Sequence, residues 1–205
     1  MQTAGSSQGR SASRPNLSTV AADLTARTCP AAAAQRAEHL ASLGVHTVLE
    51  LCVGPSLRDL ERAYACHDIR VVGNDLDPRW VRYYPQGQWL VGDALAIEWA
   101  GFDAVVFAPP LSRGCTGRRE DALRVDEVFP RYSDFLARLG AECSPVAVMV
   151  LPGRALATPR DRAATHHLLA RCCRRSELVP LLDERGRVCK YHDLYLYGEP
   201  CTKSM

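Results

Sequence analysis

Four places in this chain combine acidic, small and proline residues in patterns that can hold a ligand and aim a reactive group. The first is Glu50-Leu51-Cys52-Val53-Gly54-Pro55-Ser56, where a carboxylate near the end of an apolar run precedes a tight turn of small residues. Small residues there let a ligand approach the backbone closely. Asp75 follows Gly54 by 21 residues, within Gly73-Asn74-Asp75-Leu76-Asp77-Pro78. An acid about 20 residues beyond a glycine turn has the spacing that sets a carboxylate against a pair of ribose hydroxyls. Asp93, in Gly92-Asp93-Ala94, adds a third acid, and Ala108-Pro109-Pro110-Leu111 ends a fourth apolar run with two prolines that stiffen the chain leaving it.

The order of these signals along the chain dictates the elements that must carry them. Pro30-Ala-Ala-Ala-Ala-Gln-Arg-Ala-Glu-His-Leu-Ala-Ser-Leu43 is made of strong helix formers, with proline at the start and Gly44 as the stop. Short apolar runs then alternate with helical patterns. Strands are predicted from Thr47, over the run Ile69-Arg-Val-Val-Gly-Asn74, at Gln88 to Val91, Phe102 to Phe107 and Val146 to Leu151. Helices are predicted at Ser56 to Cys66, Tyr132 to Leu139 and Arg160 to Cys173, a turn at Asp77-Pro78, and a long loop from Ala108 to Pro130. The β-rich runs Ser176 to Leu182 and Val188 to Gly198, joined by Asp183-Glu-Arg-Gly186, read as a terminal antiparallel hairpin. Such alternation gives an α/β fold whose parallel sheet is covered on both faces and binds ligands at the carboxyl ends of its strands.

Composition bounds the reading. With 205 residues, 47% hydrophobic and 23% charged, the chain suits one compact domain and excludes collagenous, coiled-coil and wholly disordered classes. Residues 1–22, rich in Ser, Gly and Gln, are expected to be a disordered tail, and 23–205 a single domain. A net charge of +2 gives no bulk field of the nucleic-acid-coating kind, so any basic surface must be local. Only Lys190 and Lys203 among the 25 basic residues are lysines, a ratio better explained by coding bias than by a site. Nine cysteines, odd in number and without a C-x-x-C spacing, fit reduced thiols better than disulfides or a structural zinc. No secretory signal pattern or membrane-length apolar run is present, so a cytoplasmic location is expected, with no metal and no membrane partner.

The series of motifs resembles the class I S-adenosylmethionine-dependent methyltransferases, from about Thr28 to Gly198. The resemblance implies a Rossmann-like, doubly wound, mostly parallel seven-stranded sheet with a C-terminal antiparallel hairpin strand, and S-adenosyl-L-methionine as cofactor. It maps the turn that holds the methionine part of the cofactor onto Glu50, Cys52, Gly54 and Ser56, with Cys52 and Ser56 standing where glycine or another small residue is usual. The ribose-binding acid falls on Asp75, with Asp77 as the substitute and Leu76 in the same cofactor set. The adenine-binding acid falls on Asp93, with Ala94 offering a backbone N–H to the ring. A nicotinamide-binding Rossmann domain is the rival for the first half, but it expects G-x-G-x-x-G, of which only Gly54 is present.

Ala108-Pro109-Pro110-Leu111 is similar to the Asn/Asp/Ser-Pro-Pro-aromatic motif of methyltransferases that modify exocyclic amines of bases or of protein glutamine. The resemblance makes these four the catalytic positions. Ala108 has no acceptor side chain and Leu111 no π face, so a backbone carbonyl of Ala108 or Pro109 would have to take the amine's hydrogen bond. A neutral amine needs no general base before attack, and catalysis can rest on alignment. A hydroxyl or carbon acceptor would require a base or a nucleophilic cysteine. Cys115 is the residue so placed, although scattered cysteines make chance placement the better account.

On the substrate side, Arg113 and Arg154 are the expected contacts. Arg113 shares its loop with Arg118 and Arg119, but also with Glu120, Asp121, Asp126 and Glu127, so a solvated loop is an equal reading. Residues 154 to 175 hold six arginines against Asp161 alone, a local basic segment that would suit phosphate. The expected activity is methylation of an exocyclic amine of a base in RNA or DNA. The alternatives are methylation of a protein or small molecule, or a non-catalytic cofactor- or nucleic-acid-binding module.

Overall fold

The computed structural model describes residues 28–83, 85–109, 132–139, 146–152 and 175–198, with single positions 159 and 163. The predicted tail, the loop from Pro110 onward and all but Ala163 of the helix predicted over 160–173 lie outside the described residues.

Helix α1 (Pro30–Ser42) starts on Pro30, which needs no N–H partner in the first turn, and Cys29 caps it by accepting from the Ala32 N–H at 3.4 Å. Then come β1 (Thr47–Leu51), a 3₁₀ turn (Gly54–Ser56), α2 (Leu57–Ala65), β2 (Arg70–Asp75), α3 (Arg79–Tyr83), β3 (Trp89–Val91) and β4 (Ala104–Phe107). A helix at 132–139, α4, leads to β5 (Val146–Pro152), and the chain closes with β6 (Arg175–Leu182) and β7 (Val188–Tyr197). The sheet order is β3-β2-β1-β4-β5-β7-β6. β1 to β5 pair in parallel, while β7 slots between β5 and β6 and runs antiparallel to both. The carboxyl ends of β1, β2, β3 and β4 therefore share one edge of the sheet, as the strand-helix alternation predicts.

Side chains of a strand alternate between faces, and here each face has its own core. Val48, Val71, Val106, Val148 and Val150 pack under α1 and α2 with Ala33, Leu40, Leu57 and Leu60. Leu49, Leu51, Val105, Phe107, Met149 and Leu151 pack on the other face with Trp99, Tyr132 and Phe135. Phe107 stacks on Phe135 of α4 with ring centroids 4.7 Å apart, and the Tyr132 hydroxyl donates to the Val150 carbonyl at 2.7 Å. Gly73 allows one of these packings to be close: a Cβ there would lie 3.0 Å from both Leu57 methyls and from Val53 Cγ1, which would have to give by a few tenths of an ångström. Among the described residues, no helix is long and apolar enough to cross a membrane, and no group of three or more His, Cys, Asp or Glu could hold a metal ion.

Two elements depart from the sequence reading. The Asp77-Pro78 turn runs on into α3, five residues long, too short to leave a period in the sequence. Arg175, which the sequence groups with the basic helical segment, instead begins β6 and lies over the Tyr197 ring, 5.6 Å from its centroid.

Buried charge ties α1 to the sheet. Arg36 Nε and Nη2 donate to Asp193 Oδ2 and Oδ1 at 2.6 and 2.8 Å, and Nη1 donates to Glu50 Oε1 at 3.4 Å. Tyr64 of α2 donates its hydroxyl to the same Glu50 oxygen at 2.5 Å. Burial works against the Arg36 charge, but Asp193 and then Glu50 outweigh it and hold the guanidinium well above its ordinary pKa. Burial pushes the Glu50 carboxyl up, only partly offset by Arg36 and the tyrosine hydroxyl. Removing one partner strands the others in the interior. Arg36→Met should therefore cost about 3–5 kcal/mol in urea unfolding. Glu50→Gln, which loses only the longer ion pair, should cost less than Asp193→Asn in the same measurement.

Candidate functional site

The parallel strand ends bring the first two motifs into direct contact. The Gly54 N–H donates to Asp75 Oδ2 at 2.9 Å, joining the turn after β1 to the end of β2 across 21 residues of chain. Asp75 Oδ1 accepts the Asp77 N–H at 2.9 Å. A carboxylate offers about four lone-pair sites, so both oxygens keep capacity for further donors. Burial pushes the Asp75 carboxyl above the ordinary carboxylate value, against the lowering pull of the Asp77 and Gly54 N–H groups. Asp77 is differently committed: Oδ1 takes the Arg79 N–H at 2.9 Å and Oδ2 its Nε at 2.6 Å, and that bonding to Arg79 holds its carboxyl below the ordinary value. Of the two acids, Asp77 is paired with an arginine, whereas the bonds to Asp75 come from the backbone N–H groups of Gly54 and Asp77.

The turn before Asp75 is bent twice into left-handed backbone, at Cys52 with φ +58° and at Gly54 with φ +51°. A Cβ at Gly54 would sit 3.8 Å from Asp75 Oδ2 and 4.0 Å from Trp80 Nε1, so its absence leaves the turn's backbone open beside the acid. Cys52 adopts the same conformation with a side chain, at a cost of about 1–2 kcal/mol.

The remaining predicted residues divide. Asp93 stands exposed after β3, its Oδ1 accepting the Leu95 N–H at 2.9 Å, and Ala94 is buried with its carbonyl taking the Trp99 indole N–H at 3.0 Å. Leu76 projects into solvent, 73% exposed, and Val91 is 49% exposed, so apolar side chains flank the two acids on the rim. Ala108 is half-buried at the end of β4, and its N–H donates to the Leu51 carbonyl at 3.2 Å, which roots Ala108 beside the turn. Pro109 is buried, whereas Pro110, Leu111, Arg113, Cys115 and Arg154 lie outside the described residues.

Two predicted rim residues are placed elsewhere. Glu50 is 1% exposed and faces α1 and α2, because it shares the strand face of Val48, so its carboxylate belongs to the Arg36 network and not to the rim. Ser56 is buried, and its Oγ accepts the Thr28 N–H at 2.8 Å, fastening the segment that enters α1. Sequence reasoning missed Arg36, Tyr64 and Asp193. The readable signals were an arginine in the apolar stripe Ala33-Ala37-Leu40 and an aspartate at the centre of an apolar strand.

No protein-family model matches the chain, and no curated protein matches its sequence. Solved structures do match in shape. The Burkholderia thailandensis 1,6-didemethyltoxoflavin-N1-methyltransferase, with 1,6-didemethyltoxoflavin and S-adenosylhomocysteine bound, is 17% identical over 82% of this chain and 78% of that one, with a TM-score of 0.52. A Bacillus cereus O-methyltransferase in complex with S-adenosylhomocysteine is 12% identical over 89% and 88% of the two chains, with a TM-score of 0.55. The methyltransferase domain of bacterial CtHen1 is 8% identical over 81% and 97%, with a TM-score of 0.56. The chain has the Rossmann-like fold of the class I S-adenosylmethionine-dependent methyltransferases.

Cys52→Gly removes the left-handed strain while loosening the unfolded chain, so the net gain should be about 0.5–1 kcal/mol. Thermal unfolding would register this as a rise of roughly 1–4 °C. A lower midpoint would show that Cys52 packing outweighs its backbone strain.

Proposed function

We propose that the chain is an S-adenosyl-L-methionine-dependent methyltransferase. The observation that carries this reading is the Gly54 N–H to Asp75 bond, which joins a left-handed turn to a carboxylate at the shared edge of the parallel strands. When bound there, the cofactor supplies a methyl group made electrophilic by its sulfonium. The residues present fit it. The backbone of Cys52 to Gly54 would line the methionine part, Asp75 would accept from the ribose hydroxyls, and Leu76 and Val91 would offer apolar surface to the purine. Asp93 and the Ala94 N–H would take the purine's polar edge.

The acceptor is an exocyclic amine of a base in RNA or DNA. The two prolines after β4 support this, since a backbone carbonyl of Ala108 or Pro109 can accept from an amine and orient its lone pair without a side chain. The Ala108 N–H on the Leu51 carbonyl anchors the start of this segment, so alignment is the chain's main contribution to rate. A small heterocyclic acceptor is the second reading, supported by the 1,6-didemethyltoxoflavin bound to a methyltransferase of the same fold.

Calorimetry with S-adenosylhomocysteine tests the first step. Binding should be lost by at least tenfold in Asp75→Ala, and a wild type that does not bind removes the proposal. Methyl transfer from radiolabelled S-adenosylmethionine to bulk tRNA, rRNA and DNA, with nucleoside analysis of the products, should yield an N-methylated base. Labelling of heterocyclic amines alone would favour the second reading.

Asp75 also fixes a pH dependence. Its folded pKa is raised, so its contribution to stability is present at acid pH and declines as pH rises through that value. Ligand affinity should move oppositely, because the ionised carboxylate is the stronger acceptor for hydroxyls. Titrated by calorimetry, affinity should fall on acidification at a pH above the ordinary aspartate range. Asp75→Asn should flatten that part of the profile.

A further inference from the structure

Asn74 plays no part in the cofactor or acceptor contacts, although it is fully buried between the two acids of the rim. Its Nδ2 donates to the Leu90 carbonyl at 2.9 Å and to the Gly92 carbonyl at 3.0 Å. These carbonyls bracket Val91 and lie just before Asp93. The strand they belong to, β3, has three residues, sits at the sheet edge and pairs with β2 alone. Backbone bonds hold its two ends, Gly73 N–H to the Gln88 carbonyl at 2.8 Å and Gly92 N–H to the Asp75 carbonyl at 3.1 Å. A strand this short has few ladder bonds to fix the segment beyond it, and the Asn74 amide supplies two more.

The orientation of that amide is dictated by its partners, since the reverse would set Oδ1 against two carbonyls. Oδ1 is left buried without a hydrogen-bond partner among the described residues. An unsatisfied buried acceptor is destabilising, and Val72, two residues earlier on the same face, shows that an apolar side chain fits that face of β2. Packing alone therefore does not account for an asparagine here. Its effect is to fix the separation between Asp75 and Asp93, which sit on either side of its hydrogen bonds.

We infer that Asn74 is a positioning residue that sets Asp93 to read the amino group of an adenine ring held on the rim, and so confers selectivity for a 6-aminopurine nucleoside. The inference rests on the proposed cofactor reading and adds to it the residue on which purine discrimination depends. Asn74 touches neither ligand nor acceptor. It acts through Gly92 on the residue that does.

The test compares S-adenosylhomocysteine with its analogue carrying hydrogen in place of the 6-amino group, by calorimetry on the full chain. Wild type should prefer the amino compound by about tenfold or more, the worth of one hydrogen bond to a carboxylate. In Asn74→Leu and Asn74→Ser the preference should shrink to about twofold, as in Asp93→Ala, with the analogue's affinity little changed. General destabilisation would weaken both ligands alike and leave the ratio intact. A folded Asn74 variant with the wild-type ratio overturns this inference alone. A wild type that binds neither compound overturns the cofactor reading with it. Should both variants fail to fold, the wild type still decides: its Asn74 side-chain amide resonances should shift more with the amino compound than with the analogue, and equal shifts overturn the inference.

Discussion

A single guanidinium holds together parts of the sheet that no hydrogen-bond ladder connects directly. β1 and β7 stand three places apart in the strand order, yet Arg36 of α1 reaches a carboxylate on each. Three charges in the interior are tolerated only when all are mutually satisfied, because each isolated ion would bear its full desolvation cost. The helix, the central strand and the late antiparallel strand are consequently fixed relative to one another. β1 runs straight into the turn at Cys52 and Gly54, so the network that anchors Glu50 also sets where that turn begins. From there the constraint passes from the Gly54 N–H to the Asp75 carboxylate, and by backbone bonds from Asp75 to Gly92 and from Leu51 to Ala108.

Much of the fold was legible because its elements are short, apolar and separated by Gly, Pro and Asp. Val48, Val106 and Val148 on one face and Leu49, Val105 and Ala147 on the other make continuous apolar runs, the expected signature of strands buried on both sides. The shared edge of Gly54 and Asp75 was legible too, since their separation of 21 residues suits a turn, a helix and the strand that follows it. A linear reading could not resolve the direction of individual side chains. Glu50 stands one residue from the end of β1, and the period of two turns it inward, toward an arginine 14 residues earlier and an aspartate far downstream. Its placement depends on partners that spacing does not advertise. Ser56 and Asn74 have the same character: small polar residues beside the site whose bonds go to backbone groups and serve its shape.

On the proposed reading, the cofactor side and the acceptor side of the site meet at one backbone bond, the Ala108 N–H on the Leu51 carbonyl, immediately before the left-handed Cys52. This bears on the missing acceptor side chain at Ala108. A side-chain amide or carboxylate must be ordered on a rotatable bond before it can orient an amine, whereas a carbonyl at a strand end is already fixed by the ladder behind it. With two prolines next in the chain, which lack N–H groups and have restricted φ, the carbonyls after Phe107 have little freedom to reorient. On the proposed reading, alignment passes from a side chain to the main chain, and the rate then depends on how rigidly β4 is held. The stacked Phe107 and Phe135 rings and the Tyr132 bond to Val150 supply that rigidity from the face opposite Arg36. The two cores thus act on one edge from opposite sides, one fixing the turn that would receive the methyl donor and the other fixing the strand that would present the acceptor.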